Sequence, residues 1–224
     1  KWPDQTMTIS NFYERLRNPA RSTETTEEYA ALDKTHRDEL KDVGGYVFGQ
    51  LAGGRRKVGT VLSRDAITLD ADNIRAGGTD DILQRLSGLG CNYCVYSTRS
   101  HTPAKPRLRI VLPLDKSCTA DEYEPAARRI AYIIDPTMQI YDPTTFEPSR
   151  LMYWASCCAD GEYVYHYADL PLLSAEGLLA QYNDWHNWAE WPQVPGSKEK
   201  NLKAAKRQQD PETKGGIVGA WCKV

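Results

Sequence analysis

The sequence carries, at residues 66–72, the stretch Ala66-Ile67-Thr68-Leu69-Asp70-Ala71-Asp72, in which apolar and β-branched residues lead into two carboxylates. This composition predicts a β-strand, on which Asp70 and Asp72 point to the same face, about 7 Å apart at their Cα atoms. Two adjacent carboxylates repel each other, so they are costly to bury unless a cation lies between them. Mg²⁺ prefers oxygen ligands and usually keeps substrate phosphates as further ligands. The alternative is that one carboxylate faces solvent and the other caps a turn.

The chain has 224 residues, of which 41% are hydrophobic and 26% are charged, with a formal net charge of −2. These values are typical of one globular domain, or of one domain with a small appendage. The sequence has no apolar run of membrane-spanning length and no signal-peptide pattern, so we expect a cytoplasmic protein without membrane partners. The net charge hides local clusters of Lys and Arg, which are what a nucleic-acid backbone would encounter, at residues 55–57, 99–109, 128–129 and 198–207.

Six cysteines are present, and Cys91 and Cys94 have the spacing of half a zinc site. No second CxxC or HxxxH pair completes such a site. Cys91 also alternates with Tyr93 and Val95 in a strand-like pattern, which favours packing in a sheet over metal binding. The cysteine usage fits a reduced compartment better than a disulfide framework.

The rest of the chain is predicted to alternate between helices and strands. Capping-box spacings at Asn11–Glu14, Thr25–Glu28 and Thr119–Glu122 indicate where helices begin. Alternating or β-branched runs predict strands, and Gly and Pro separate them. The predicted helices are residues 79–86, 119–134 and 174–182, after a helical region at 1–43, and the predicted strands are residues 46–48, 66–72, 91–98, 107–113, 138–141, 149–154 and 162–167.

Basic side chains follow two turns of this pattern. A glycine turn at residues 53–54 precedes the three adjacent cations at residues 55–57, and the strands at 91–98 and 107–113 form a predicted hairpin. Three cations after a glycine turn are either a solvated loop or a contact to a nucleic-acid backbone. The residues of interest are Arg55, Arg56 and Lys57 in the loop, Ser100, His101 and Lys105 at the hairpin tip, and Arg107 and Arg109 on one face of the second hairpin strand.

A third acid, Asp142, follows the predicted strand at 138–141, and Arg150 comes eight residues later. Asp135 is a rival third acid because it too precedes a proline. Three carboxylates with nearby cations suit two-metal nucleotidyl transfer, in which divalent ions activate a 3′-hydroxyl and stabilise the pyrophosphate leaving group. In that chemistry the metal ligands would be Asp70, Asp72 and Asp142, and the triphosphate contacts would be His101, Arg109 and Arg150, with Ser100 and Lys105 as lesser contacts.

Six sequence blocks resemble the archaeo-eukaryotic primase superfamily, and most closely the primase-polymerase modules of phages and mobile elements that precede helicase-like domains of the virulence-associated E type. The resemblance covers most of residues 10–190. The blocks are Lys41-Asp42-Val43-Gly44-Gly45, Gly53-Gly54-Arg55-Arg56-Lys57, Leu69-Asp70-Ala71-Asp72, Ser97-Thr98-Arg99-Ser100-His101, Arg109-Ile110-Val111-Leu112-Pro113-Leu114 and Thr144-Thr145-Phe146-Glu147-Pro148-Ser149-Arg150-Leu151-Met152-Tyr153.

The resemblance implies an α+β fold with an RRM-like antiparallel sheet, flanking helices and a second α/β lobe. It implies a DNA primase-polymerase that uses Mg²⁺ or Mn²⁺, dNTP or NTP, and a single-stranded or primed DNA template in a bacterial host cell. A helicase domain in the same or a neighbouring chain is the implied partner. The family-like spacing to Thr145 and Arg150 favours Asp142 over Asp135. The serine of the second motif departs from the family pattern, because Ser100 lies immediately before His101.

Residues 1–190 are therefore predicted to form the catalytic domain. The Pro-rich and basic residues 191–214 are predicted to form a linker, and residues 215–224 to begin a truncated helical module. Three alternatives stay open: a replication-initiator nickase, a non-catalytic single-stranded DNA-binding domain, and a metal-dependent nucleotide hydrolase or cyclase. The nickase needs a His-hydrophobe-His metal pair, and this sequence contains none.

Overall fold

The computed structural model describes residues 2–197, which form a mixed α/β architecture built round one four-stranded sheet. The described helices are α1 (Ile9–Arg17), α2 (Thr26–Ala31), α3 (Lys34–Lys41), α4 (Thr79–Ser87), α5 (Ala120–Ile134) and α6 (Ala175–Leu179). The described strands are β1 (Ala20–Arg21), β2 (Gly45–Tyr46), β3 (Arg64–Ala71), β4 (Tyr93–Ser97), β5 (Leu108–Cys118), β6 (Met152–Tyr153), β7 (Ser156–Cys157) and β8 (Tyr165–Ala168).

The four-stranded sheet has the order β3-β5-β4-β8, and all of its neighbouring strands are antiparallel. The chain runs β3, α4, β4, β5, α5, so a helix follows the first strand and another follows the hairpin of the next two. Two short two-stranded sheets, β1 with β7 and β2 with β6, lie outside it. The expected α+β class with an antiparallel sheet is confirmed.

Alternation along β3 creates two differently covered faces. Ile67 and Leu69 are completely buried in the larger hydrophobic cluster, together with residues of α4, α5 and α6. Burial of each such side chain contributes about 1.5–3 kcal/mol. Ala66 packs in a second cluster with Phe12 and Leu16 of α1, on the other face of the sheet. Since side chains alternate along a strand, Asp70 lies on that second face with Ala66.

Two of the predicted capping boxes are confirmed. Thr25 and Glu28 form one at the start of α2, and Thr119 and Glu122 form another at the start of α5. The prediction at Asn11–Glu14 was wrong, because α1 begins three residues earlier. Its N-cap is Thr8, whose hydroxyl accepts a hydrogen bond from the Asn11 backbone N–H at 3.2 Å.

The predicted strand at 138–141 was also wrong. After α5 ends, Asp135 and Pro136 turn the chain, and Met138 adopts a positive φ of 57° that a strand does not allow. A single bridge between Tyr141 and Ala71 is its connection to the sheet. The strands predicted at 46–48 and 149–154 shrink to the two-residue strands β2 and β6, and β3 ends at Ala71, just before Asp72.

Part of the predicted domain organisation lies outside the described residues, namely most of the linker at 191–214, the module at 215–224, and Cys222. The five cysteines within residues 2–197 are buried and free. No helix among residues 2–197 is long and apolar enough to cross a membrane.

Candidate active site

A cleft of about 360 Å³ opens beside the end of β3 that carries the acids. Its wall combines six cationic side chains with three carboxylates, so an anionic ligand would meet a net positive surface. The charged lining residues are Lys41, Arg56, Arg99, Arg107, Arg109, Arg150, Asp70, Asp72 and Glu147.

Asp70 lies at the base of this cleft and is 3% exposed. It is opposite Arg109 in the register of β3 and β5, and its Oδ1 accepts a hydrogen bond from Arg109 Nε at 2.7 Å. Its Oδ2 lies 3.3 Å from Arg150 Nη2. The backbone N–H of Asp70 donates to the buried hydroxyl of Thr145 at 2.7 Å, which ties the strand to the loop that carries the other site residues.

Asp142, in the loop that follows α5, lies beside Asp70, although it is not itself among the residues that line the cleft. Its backbone N–H donates to the carbonyl oxygen of Asp70 at 3.0 Å. Its Oδ1 accepts from the Thr144 N–H at 2.8 Å and hydroxyl at 2.9 Å, and its Oδ2 accepts from Arg150 Nη2 at 2.8 Å. Arg150 Nη2 therefore lies between the carboxylates of Asp70 and Asp142.

Asp72 stands slightly apart from that pair, at the end of β3. Its nearest cation is Arg107, with an N···O distance of 3.6 Å. Burial raises the pKa of the Asp72 carboxyl, Arg107 opposes that shift, and the negative charges of Asp70 and Asp142 add to it. The charges of Asp70 and Asp142 thus act on Asp72, although Asp72 pairs with Arg107 and not with Arg150.

The donor chemistry of this site fits a divalent ion, because the three carboxylates supply the oxygen ligands that Mg²⁺ and Mn²⁺ prefer. Asp70 Oδ2 and Asp142 Oδ2 approach one common atom, so a single small cation could contact both. That position is filled by the Arg150 guanidinium. Within residues 2–197 no three His, Cys, Asp or Glu side chains surround a shared point.

The structure separates the sequence-predicted triphosphate contacts into two groups. Ser100, Arg109 and Arg150 line the cleft. His101 is 4% exposed and is not among the lining residues, and its Nδ1 accepts the Arg107 backbone N–H at 3.1 Å. Burial lowers the pKa of His101, which favours a neutral ring. Lys105 is exposed on the hairpin tip, outside the cleft lining.

The three loop cations are also separated. Arg56 lines the cleft and donates from Nη1 to the carbonyl oxygen of Ser149 at 3.1 Å. Arg55 and Lys57 are exposed and do not line it. Asp135, the rival third acid, is 3% exposed and pairs with Arg85 at 3.0 Å, away from the cleft lining. Of the two candidate third acids, Asp142 is the one beside Asp70.

Lys41, Arg99 and Arg107 are cleft residues to which the sequence analysis assigned no individual role, although Arg99 and Arg107 lie in one of its basic clusters. Arg107 had a signal, since it alternates with Arg109 on one strand face. The pairing of Arg99 had none, because its partners Glu24 and Ser22 come from a distant part of the chain. The Nε atoms of Arg99, Arg107 and Arg150 are buried without a hydrogen-bond partner, so each guanidinium has an unused donor.

A family model described as the VapE N-terminal domain matches residues 1–194. Among solved structures, the chain is similar to the Cyanophage S-2L Primase-Polymerase (PrimPol), AEP domain (PP-N190). That match has a TM-score of 0.43 and 15% sequence identity, and it covers 66% of this chain and 76% of that chain. No curated protein sequence matches the chain.

Proposed function

This chain belongs to the VapE N-terminal domain family, and we propose that it is a template-dependent DNA primase-polymerase, a nucleotidyltransferase. The family assignment made from the sequence motifs is confirmed by the match. The activity is our inference, and one observation carries it. Asp70 lines a strongly cationic cleft and lies next to Asp142, so divalent ions held by these acids would adjoin a triphosphate bound in the cleft.

We assign metal binding to Asp70, Asp72 and Asp142, with Mg²⁺ or Mn²⁺ as the ion. When bound, such ions lower the pKa of the attacking 3′-hydroxyl and stabilise the charge of the pyrophosphate leaving group. The chain's own contribution is to hold these carboxylates in place, through the Asp142 N–H on the Asp70 carbonyl and through the Thr145 hydroxyl.

Two of the cleft arginines, Arg107 and Arg150, are proposed to bind the triphosphate of a dNTP or NTP. Arg107 and Arg150 are both partly exposed, at 28% and 30% of their side chains, and each has an unpartnered Nε. Guanidinium groups bind phosphate oxygens through paired, charge-assisted hydrogen bonds. Arg109 is held more firmly, because it also donates to the Tyr153 carbonyl at 2.9 Å, so its role would be to orient Asp70.

The partners follow from the family and the cleft. Arg56 would contact the backbone of a single-stranded or primed DNA template, and the exposed Arg55 and Lys57 would extend that contact outside the cleft. We propose that a helicase domain, in the same or a neighbouring chain, supplies unwound template in phage or mobile-element replication.

One observation favours a second candidate, a non-catalytic single-stranded DNA-binding domain. All three acids have arginine partners, as they would if they only balanced the charge of the cleft. The two functions differ in their products, because a binding domain retains DNA affinity but never incorporates nucleotide.

Primer extension and de novo synthesis on single-stranded DNA, with Mg²⁺ or Mn²⁺, separate the two candidates. We expect metal-dependent products from the full chain and their loss in Asp70→Asn and Asp142→Asn. Asp115→Asn is the matched control, since Asp115 is an exposed acid on the same sheet and outside the cleft. Products that survive in both site variants would overturn the proposed chemistry, and DNA binding without products would favour the binding domain.

A further inference from the structure

We propose that the Arg150 guanidinium blocks metal binding between Asp70 and Asp142 until a nucleoside triphosphate binds. The triphosphate and the divalent ion would then bind to the site cooperatively. This proposal rests on the proposed function, because it concerns the order in which the same site is filled. Arg150 then has two roles. It contacts a phosphate of the bound triphosphate, and in the free protein it keeps metal ions away from the two carboxylates (the guard role).

The competition follows from the positions of three atoms. Arg150 Nη2 lies 2.8 Å from Asp142 Oδ2 and 3.3 Å from Asp70 Oδ2. A Mg²⁺ ion bound by both oxygens would sit about 2.0–2.1 Å from each of them. The nitrogen and the ion would then occupy overlapping space, and their positive charges would repel each other at short range. Metal binding between these two acids therefore requires Arg150 to leave.

Of the two arginines that contact Asp70, Arg150 is held less firmly than Arg109. Arg109 projects from the middle of the sheet, is 9% exposed and has an anchor at each end of its guanidinium, Asp70 and the Tyr153 carbonyl. Arg150 lies in the turn before β6, and its side chain is 30% exposed. Its side-chain hydrogen bonds go to Asp70 and Asp142, and its Nε has no partner.

A triphosphate in the cleft would give Arg150 an alternative partner. If Arg150 left the carboxylates for water, two ion pairs would be lost in a half-buried site, which is costly. If it moved to a phosphate oxygen, one charge-assisted contact would replace another, and Nε would gain a partner. The same ligand also contributes oxygen atoms to a bound ion. The triphosphate therefore promotes metal binding in two ways.

This arrangement couples the binding of the metal to the binding of the triphosphate. If the triphosphate tightens metal binding by some factor, the metal must tighten triphosphate binding by the same factor. The free protein would bind the metal weakly, since the cost of displacing Arg150 is subtracted from the metal affinity. Removal of the guanidinium should remove most of that cost.

The test measures Mn²⁺ binding to the full chain by electron paramagnetic resonance, without DNA and without turnover. We expect Arg150→Gln to bind Mn²⁺ alone about tenfold more tightly than the wild type, a typical size for coupling between two sites. Arg150→Lys should fall between them, because it keeps the charge but not the planar fork. Lys116→Gln is the matched control: it removes one positive charge about 23 Å away from Arg109 along β5 and should leave Mn²⁺ affinity unchanged.

A methylene-bridged dATP analogue, which cannot be incorporated, tests the cooperative step. It should tighten Mn²⁺ binding to the wild type about tenfold and have a much smaller effect in Arg150→Gln. Equal Mn²⁺ affinities of wild type and Arg150→Gln would overturn the guard role, even if primer extension succeeds. Tighter Mn²⁺ binding by Arg150→Gln with no primer extension by the wild type would support the guard role and overturn the polymerase. Absence of Mn²⁺ binding in every variant would overturn both.

Discussion

Arg109 and Asp70 face each other across β5 and β3, and Arg109 Nε donates to Asp70 Oδ1 at 2.7 Å. Both residues are buried, with exposed fractions of 9% and 3%. Desolvation of two charges is costly, and the close pairing in register is what offsets it. The central acid of the candidate site is therefore also part of the internal structure of the sheet.

This pairing predicts that Arg109→Met lowers the free energy of unfolding by about 3–5 kcal/mol, because it leaves a buried carboxylate with one arginine fewer. Urea denaturation of the full chain measures the change. Arg107→Met is the matched control and should cost less than about 1 kcal/mol, since the Arg107–Asp72 pair is longer and more exposed. Similar losses in the two variants would contradict this account of Asp70.

Arg99 gives a second stability prediction. Its side chain is 1% exposed, its guanidinium pairs with Glu24 and Ser22, and it lies 4.9 Å from the ring centre of Tyr29. Glu24→Gln should destabilise the chain by about 3 kcal/mol, because it leaves a buried cation without its counter-charge. In a double-mutant cycle with Arg99→Met, the two effects should be non-additive by roughly 0.5–3 kcal/mol. Simple additivity in calorimetric unfolding would show that the pair is not coupled.

The sequence predicted the sheet core well, because long regular patterns fix periodicity. The elements β3, α4, β4 and α5 all lie where the alternation and the capping signals placed them. The segment at 138–141 was wrong because its apolar residues are held by tertiary contacts in a turn, with Met138 at positive φ. The Asp135-Pro136 pair is a signal for a turn, but neither the positive φ of Met138 nor the single bridge of Tyr141 has a local sequence signal.

The candidate site shows the same division. Asp70, Asp142 and Arg150 could be grouped from sequence because the motifs fix their order and spacing. The orientation of His101 could not, since the Arg107 backbone N–H directs its ring. Arg99 could not be recognised either, because the groups that hold it lie more than seventy residues away.

The start of α1 can be tested by mutation, because the structure places its N-cap at Thr8 and the sequence pattern placed it at Asn11. Thr8→Ala should lower stability by about 1 kcal/mol, because the Thr8 hydroxyl accepts the Asn11 N–H at the N-cap. Asn11→Ala should be neutral or slightly stabilising, since Asn11 lies inside the helix, where alanine is preferred. Thermal unfolding of both variants decides the point, and a larger loss for Asn11→Ala would restore the capping box at 11–14.

The cleft geometry also ranks the hairpin cations. Arg107→Gln should raise KM for the incoming nucleotide about tenfold, the size expected for loss of one hydrogen bond between charged groups. Lys105→Gln should have a smaller effect, because Lys105 is exposed and does not line the cleft. Steady-state primer extension measures both, with Lys116→Gln as a control for charge. A larger effect at Lys105 would mean that the triphosphate lies at the hairpin tip.

The burial of His101 is expected to make the stability of the fold depend on pH. Burial lowers the pKa of its imidazole below the usual value, and the Glu162 charge opposes only part of this shift. As the pH falls, the unfolded chain therefore binds the proton first, and stability is lost from about pH 6.5 downward until the lower folded-state pKa is passed. His101→Asn keeps an acceptor for the Arg107 N–H but cannot titrate, so its stability should vary less between about pH 5 and 7. Urea denaturation at several pH values in this range measures the stability. If the stability changes with pH equally in wild type and in His101→Asn, the buried imidazole contributes nothing to acid destabilisation.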